Sequence, residues 1–154
     1  MENVATGFVC ALTVVPIGII AFVASWGTLF IAPLIFLGIA WLAVILYRLG
    51  AGGPVSWRGT LCIIAVMIVT LALSVFTGLI TEVAFDISSI ARLSPLEALG
   101  VPQYWTVFSE VLNDPAAQSR IIPSILAAAT FAAIGIFSAL RGVFHRQSLR
   151  VAKG

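Results

Sequence analysis

Residues 4–47 read VATGFVCALTVVPIGIIAFVASWGTLFIAPLIFLGIAWLAVILY and contain no Asp, Glu, Lys, Arg or His. An uncharged apolar run of about 18 or more residues is typical of a membrane-spanning helix, because a hydrocarbon core roughly 30 Å thick needs about 20 helical residues. This run is about twice that length, so it predicts two spans joined by a tight turn. We place the turn at Ser25-Trp26-Gly27-Thr28, where a small polar residue, an interfacial aromatic and a helix-ending glycine coincide.

The composition of the whole chain agrees with this interpretation. Of its 154 residues, 61% are hydrophobic and 9% are charged, and the mean hydropathy is +1.16. In soluble proteins about a quarter of the residues are charged. The first residues, Met1-Glu2-Asn3, are acidic rather than basic, and the run behind them is longer than the apolar region of a signal peptide. We therefore predict an integral membrane protein whose first span is retained.

Two further apolar runs complete an all-α fold with four transmembrane helices in a single membrane domain, residues 1–154. Pro16 should kink the first span because it removes a backbone donor. Pro33 falls in the first turns of the second span, where proline costs little. Small residues on one face of the first span should let a neighbour approach closely: Gly7, Ala11, Gly18 and Ser25. The predicted spans cover about residues 5–24, 28–47, 60–80 and 121–140.

Residues 81–120 are the one sizeable segment between spans, and they predict short amphipathic helices. Polar residues at helical spacing indicate that the third span continues as an amphipathic helix: Glu82, Asp86, Ser89 and Arg92. Ser94-Pro95-Leu96-Glu97 has the form of a capping box with proline at the first helical position. Another helix should start at Pro102, and Asp114-Pro115 is typical of the N-cap and first residue of a helix that leads into the fourth span.

Two sets of side chains are candidates for contact with a partner. The helix after Pro102 carries an apolar face rich in aromatics, and the absence of Lys and Arg from it favours protein contact over lipid contact. The fourth span carries small residues that suit close helix contact, either within the protein or with a partner. The first set is Tyr104, Trp105, Phe108 and Leu112, and the second is Ala128, Ala132, Gly135 and Ala139.

The distribution of charge predicts the orientation. Arg48 and Arg58 lie in the link between the second and third spans, and the tail at 141–154 is also basic. Because Lys and Arg mark the cytoplasmic side, both termini should be cytoplasmic and 81–120 should be outside, in a membrane of the bacterial inner (plasma) type. Four arginines at the inner rim could contact anionic lipid headgroups: Arg48, Arg58, Arg141 and Arg146.

The predicted spans lack the residues that most membrane chemistry requires. Proton relays, ion-coupled carriers and voltage sensors place ionisable residues at membrane depth, and haem or metal sites need His, Cys or carboxylate clusters. We therefore expect no cofactor, no metal and no enzymatic activity. Carboxylates in 81–120 could in principle support acid–base chemistry, but their helical spacing is typical of a solvated face. The hydroxyls of Thr70, Ser74 and Thr77 should bond back to the preceding turn of their own helix.

These features favour a non-catalytic accessory or structural subunit of a larger membrane complex. Its partners would be other integral membrane subunits and lipids, not nucleic acid. A narrower alternative is the small four-helix membrane subunit of a multi-component solute transporter, although only the architecture supports it. A different class is a self-assembling channel or a lipid-binding membrane protein that uses the arginines at the inner rim.

Overall fold

The structure, a computed structural model, describes residues 2–25 and 31–151, with the backbone alone for 31–33, 120 and 142–151. Every regular element in these ranges is an α-helix, as predicted. The elements are α1 (Val4–Leu12), α2 (Val14–Ala24), α3 (Ile31–Ala51), α4 (Trp57–Ala91), α5 (Pro95–Ala98), α6 (Tyr104–Asn113) and α7 (Pro115–Val151).

Four helical stretches of the described chain are long and apolar enough to cross a membrane, which confirms the predicted number. One of them combines α1 and α2, and the other three lie in α3, α4 and α7. They are Val4–Ala24, Leu34–Ala51, Trp57–Ala91 and Pro115–Arg141.

The third and fourth spans are parts of much longer helices than 60–80 and 121–140. Helix α4 runs without a break through the predicted amphipathic continuation, and α7 starts at Pro115 and remains helical as far as Val151. Much of the predicted basic tail, 141–154, is therefore an extension of α7, and its last three residues lie outside the described ranges. Of the predicted turn, Ser25 is described and is a turn residue, whereas Trp26, Gly27 and Thr28 lie outside the described residues.

The first span is interrupted at Thr13, between α1 and α2. Three residues later, Pro16 has no backbone N–H to donate to the carbonyl of Leu12, so the helical ladder is broken at this point. The Thr13 hydroxyl donates to the backbone carbonyl of Cys10 at 2.7 Å, within the last turn of α1. The predicted effect of Pro16 thus takes the form of a one-residue interruption.

The small-residue face of the first span is buried against its neighbours, as predicted. A Cβ atom on Gly7 would lie 2.9 Å from the ring of Tyr47 in α3, and one on Gly18 would lie 2.5 Å from the Thr70 side chain in α4. Both distances are too short for a side chain, so glycine permits this close approach. Helix α1 consequently packs on α3, while α2 packs on both α3 and α4.

Helix α4 extends well beyond the end of α2. The two helices run in the same direction, with Glu2 beside Gly59 at one end and Gly18 against Thr70 further along. Ser25 follows Gly18 by seven residues and is therefore about level with Thr77. The remaining residues of α4, 78–91, would extend about 21 Å beyond that level at 1.5 Å per residue.

Helix α7 likewise extends beyond its neighbour α3, at the end of the molecule where α4 extends beyond α2. A Cβ on Gly135 would lie 2.8 Å from Cβ of Ala40 and 2.9 Å from the backbone oxygen of Leu37, and Trp41 bonds to Ser138 further along. Helices α3 and α7 therefore run in parallel, and Ile31 at the start of α3 corresponds to about residue 128 of α7. Residues 115–127, which contain Pro123, precede that level.

The chain therefore has two layers with separate apolar cores. The four-helix layer comprises α1, α2, α3, α4 as far as residue 77 and α7 from residue 128, and it contains most of the buried side chains. The distal layer comprises α4 from residue 78, α5, α6 and residues 115–127. Its core is small and contains two aromatic rings: Leu79, Val83, Ala84, Tyr104 and Phe108.

Candidate functional site

The distal layer is organised around the inward side of α6. Tyr104 and Phe108 are buried against α4, and the Tyr104 hydroxyl donates to the backbone carbonyl of Ile80 at 2.8 Å. The Phe108 ring meets the edge of Phe76 at 6.0 Å between centroids. Burial raises the pKa of the Tyr104 phenol, so this group remains a hydrogen-bond donor at neutral pH. These contacts fix α6 on α4.

The outward side of α6 carries apolar residues that nothing in the described chain covers completely. Trp105 is 58% exposed and Leu112 is 43% exposed. The Trp105 ring is nevertheless held by its neighbours, at 5.1 Å from Tyr104 and 5.8 Å from Phe108 between ring centroids. A rigid, exposed aromatic on a packed base is the arrangement found at many protein-binding hot spots.

The structure thus divides the predicted aromatic contact set. Tyr104 and Phe108 are internal, whereas Trp105 and Leu112 are available to a partner. The apolar arc of α6 is wider than the strip that one neighbouring helix can cover, and this explains the division. Sequence spacing alone could not show which edge of the arc would remain outside.

Outside α6, the sequence analysis missed the exposed apolar residues of the distal layer, and Ile90 and Leu96 are the most exposed of them. The set is Phe85, Ile90, Leu93, Leu96, Leu99, Ile122 and Leu126. Ile90 near the end of α4 is 84% exposed, and Leu96 in α5 is 82% exposed. Ile90 follows buried Val83 by seven residues, so helical spacing predicts that Ile90 is buried too. Helix α6, however, packs against an earlier part of α4 and does not cover Ile90. Leu96 belongs to a helix of four residues, and only Ala98 in that helix is buried. We refer to Ile90, Leu96, Trp105 and Leu112 as the distal apolar residues.

The capping predictions around these residues are confirmed, whereas α6 begins at Tyr104 rather than at Pro102. Ser94 and Glu97 form both halves of a capping box, with the Glu97 carboxylate accepting from the Ser94 amide at 2.8 Å. Hydrogen bonds from Ser94 lower the pKa of Glu97, so that it is ionised at neutral pH. Asp114 accepts from the Ala116 amide at 3.0 Å and caps α7, with Pro115 as the first helical residue.

The small-residue set of α7 is used within the chain. Ala128, Ala132 and Ala139 are buried in the core that α7 shares with α3, and Gly135 lies directly against α3. Of the two possibilities left open by the sequence, close contact within the protein is the one that the structure shows. In this arrangement these four residues are not available to a partner chain.

The arginines considered for lipid contact lie away from the distal layer. Arg48 and Arg58 are exposed on either side of the link between α3 and α4, and Arg141 is exposed on α7. Arg146 belongs to the part of α7 whose side chains lie outside the described residues. Within the described chain, no contact brings these arginines together into one pocket. Their binding of anionic headgroups remains a prediction.

A hydrogen-bonded carboxylate closes the end of the four-helix layer near Arg48 and Arg58. Glu2 Oε1 accepts from the Tyr47 hydroxyl at 2.8 Å and from the Ser56 amide at 3.2 Å. Gly59 is needed beside them, since a Cβ there would lie 2.5 Å from the Tyr47 oxygen. Hydrogen bonds from Ser56 and then from Tyr47 lower the pKa of Glu2, against an opposing effect of partial burial.

The sequence analysis missed this junction. Glu2 was noted for its charge alone, and Tyr47 was treated only as the last residue of the uncharged run. The backbone brings the two together: Asn3 donates to the carbonyl of Ala51 at 3.0 Å, and its side chain caps α1 by accepting from Thr6 at 3.2 Å. An acidic residue directly before an N-cap was the available signal, because the N-terminus of a helix favours negative charge.

The buried hydroxyls of α4 behave in two ways. Thr70 donates to the carbonyl of Val66 at 2.7 Å, as predicted for a hydroxyl in a membrane helix. Ser74 is fully buried, and its hydroxyl makes no hydrogen bond within the described residues, so the prediction of a bond to the preceding turn is wrong for this residue. Across the same ranges, no group of three or more His, Cys, Asp or Glu side chains is arranged to hold a metal ion.

Comparison with known proteins adds no functional assignment. No protein-family model, no curated protein and no solved structure matches this chain. The arrangement of its own residues is therefore the basis for the functional argument.

Proposed function

We propose that this chain is a non-catalytic accessory subunit of a larger integral-membrane assembly, which it contacts through the distal layer. The supporting observation is the exposure of large apolar side chains beyond the level where α2 ends, among them Trp105, whose ring contacts those of Tyr104 and Phe108. Exposed apolar residues grouped outside the lipid usually mark a contact with another molecule. Two of the carboxylates that could have supported catalysis, Glu97 and Asp114, serve instead as helix caps.

We further propose that the distal layer is outside and that both termini are cytoplasmic, in a membrane of the bacterial inner type. The supporting observation is the separation of charge between the two ends of the chain. Arg48 and Arg58 flank the α3–α4 link at one end, whereas 81–120 has five carboxylates and two arginines. Cysteine labelling from one side of the membrane tests this. Ser88→Cys and Lys153→Cys should react from opposite sides, and reaction from the same side contradicts the proposed topology.

Purification from native membranes in a mild detergent tests the proposed function. We expect a tagged wild-type chain to retain another integral-membrane protein at fixed stoichiometry, and Trp105→Asp to lose it. Trp57→Asp is the matched control, because Trp57 is also exposed, at 74%, but lies at the opposite end of α4. Thermal unfolding of each purified variant shows whether the fold is intact. A folded Trp105→Asp chain that keeps its companion would contradict a role for the distal layer.

A further inference from the structure

Exposed carboxylates lie close in sequence to the distal apolar residues on α4, α5 and α6. Asp86 precedes Ile90 by one turn of α4, and Glu97 directly follows Leu96 in α5. On α6, Leu112 follows Glu110 by two residues and precedes the exposed cap of α7 by two. The exposed carboxylates of the layer are Asp86, Glu97, Glu110 and Asp114. Helices α4, α5 and α6 therefore each carry an exposed apolar residue and an exposed carboxylate in this layer.

The charge of this layer is opposite to that of the rest of the chain. Residues 81–120 contain five carboxylates and two arginines, a formal net charge of −3, although the whole chain has +2. Negative charge of this kind repels anionic headgroups and attracts Lys and Arg on an approaching protein. Charge complementarity thus favours a basic occupant over an anionic membrane surface.

The geometry of α6 limits the form of that occupant. Trp105 and Leu112 are seven residues apart, or about two helical turns, so they lie on one flank of α6. Thr106 and Glu110 lie on the other exposed flank, one turn apart. An amphipathic helix that lies along α6 would place its apolar side on the first flank and its basic side chains near the second.

We propose that the distal layer binds a basic amphipathic helix of a partner protein, with Trp105 and Leu112 contacting its apolar side and Glu110 and Asp86 attracting its Lys and Arg residues. This inference rests on the proposed function and adds the chemical character of the partner. Trp105 is the main anchor, because its ring is already ordered by Tyr104 and Phe108 and loses little freedom on binding.

A defined peptide pair tests this chemistry directly. The purified protein is placed in nanodiscs of phosphatidylcholine, and binding of dye-labelled amphipathic helices is followed by anisotropy, with empty nanodiscs subtracted. One helix has leucine and lysine, and the other has leucine and glutamate in the same pattern. We expect the lysine helix to bind more tightly than the glutamate helix by about tenfold or more, and its binding to weaken as salt is raised.

Variants assign the binding to particular residues. Trp105→Ser should weaken binding of the lysine helix by about tenfold, and the double variant Asp86→Asn/Glu110→Gln should weaken it several-fold and reduce its salt dependence. Trp57→Ser, at the other end of α4, should leave binding unchanged. Thermal unfolding confirms that each variant is folded.

Three results would overturn the inference. Equal binding of the lysine and glutamate helices would show that charge does not select the occupant, even if native purification yields a companion subunit. Unchanged binding in folded Trp105→Ser would place the contact elsewhere. Brominated lipid that quenches the wild type more than Trp105→Phe would show that lipid covers Trp105. One further outcome separates the two proposals. If the lysine helix binds selectively but native purification yields this chain without a companion, the proposed function is contradicted while the surface chemistry remains supported.

Discussion

The two layers of this chain differ in how their helices meet. In the four-helix layer, small residues let helices approach closely: Gly135 lies against the backbone of α3, and Gly18 makes room for the Thr70 side chain of α4. In the distal layer, aromatic rings fill the space and a tyrosine hydroxyl bonds to a backbone carbonyl. Lipid is as apolar as a leucine side chain, so packing density and hydrogen bonds stabilise helix contacts within it. Where water surrounds the helices, as we propose for the distal layer, burial of large apolar surface is favourable, and aromatics contribute much of it.

This difference predicts that the layers unfold separately. The largest expected effect comes from Tyr104→Ala, which removes a fully buried ring and its bond to Ile80 at the centre of the distal core. Loss of a buried aromatic costs about 3–5 kcal/mol, which a core of five residues is not expected to withstand. Hydrogen–deuterium exchange should therefore become fast in 95–113 while α3 remains protected.

Trp105→Ala is the matched control for this change, since it also removes an aromatic ring from α6, but an exposed one. It should leave exchange in 95–113 slow. If Tyr104→Ala loosens α3 and α6 equally, the two layers form one cooperative unit and the division between them is wrong.

The second prediction concerns the close contact of α7 with α3. Gly135→Leu places a side chain where a Cβ would lie 2.9 Å from the Leu37 backbone oxygen, and backbone cannot move aside as a side chain can. We expect a loss of about 1–3 kcal/mol, as for other overpacked cores, measured as a lower midpoint of thermal helix loss in detergent. Gly38→Leu is the control, because a Cβ on Gly38 meets nothing within 4 Å. Equal shifts in the two variants would show that α7 does not depend on this contact.

Sequence alone predicts the helices well because lipid imposes simple rules. The length of the uncharged runs predicts four spans, Pro16 predicts a disturbance of the first span, and Ser94 with Glu97 predicts a capping box. Each of these signals is local in sequence, so a nearby residue is enough to produce it. The apolar run together with the polar spacing behind it predicted the end of α4, and Asp114-Pro115 predicted the start of α7. Helix α7 is longer than predicted because it remains helical through the basic tail as far as Val151.

The candidate site was harder to predict because it depends on which helices meet. The apolar face of α6 was visible in the sequence, but its division into buried Tyr104 and exposed Trp105 depends on the angle at which α4 approaches. The junction between Glu2 and Tyr47 joins residues 45 positions apart, and no local pattern specifies that pairing. Gly135 could contact a helix of its own chain or of another chain, and the helical spacing of small residues is the same in both cases.

The third prediction uses pH to probe the end of the four-helix layer. Hydrogen bonds lower the pKa of Glu2 from its ordinary value of 4.5, so the stabilisation is fully present above that value and is lost as pH falls through the lower folded-state pKa. Glu2→Gln should cost about 1 kcal/mol at neutral pH, since a partly solvated charge-assisted bond becomes a neutral one. The difference in unfolding midpoint between wild type and variant should shrink below about pH 4.

The same experiment on Glu110→Gln provides the contrast with the distal layer. Glu110 is exposed on α6, and its removal should change the unfolding midpoint little at any pH. A constant difference between wild type and Glu2→Gln from neutral to acid pH would mean that the carboxylate charge does not contribute to the junction.

The smallest expected effect comes from the hydrogen bond between α3 and α7. The Trp41 indole donates to the Ser138 hydroxyl at 3.1 Å, and that hydroxyl donates to the Gly135 carbonyl at 3.0 Å. In the most apolar stretch of α7 only 17% of the residues are buried, against 39% in the corresponding stretches of α3 and α4. A single polar contact therefore contributes more to holding α7 in place than it would inside a fully packed bundle. Hydrogen bonds between membrane helices average about 0.6 kcal/mol in double-mutant cycles. A cycle of Trp41→Phe and Ser138→Ala, read from unfolding in detergent, should give a coupling of that size. Strictly additive effects would mean that the small residues of α7 hold it on α3 without help from this bond.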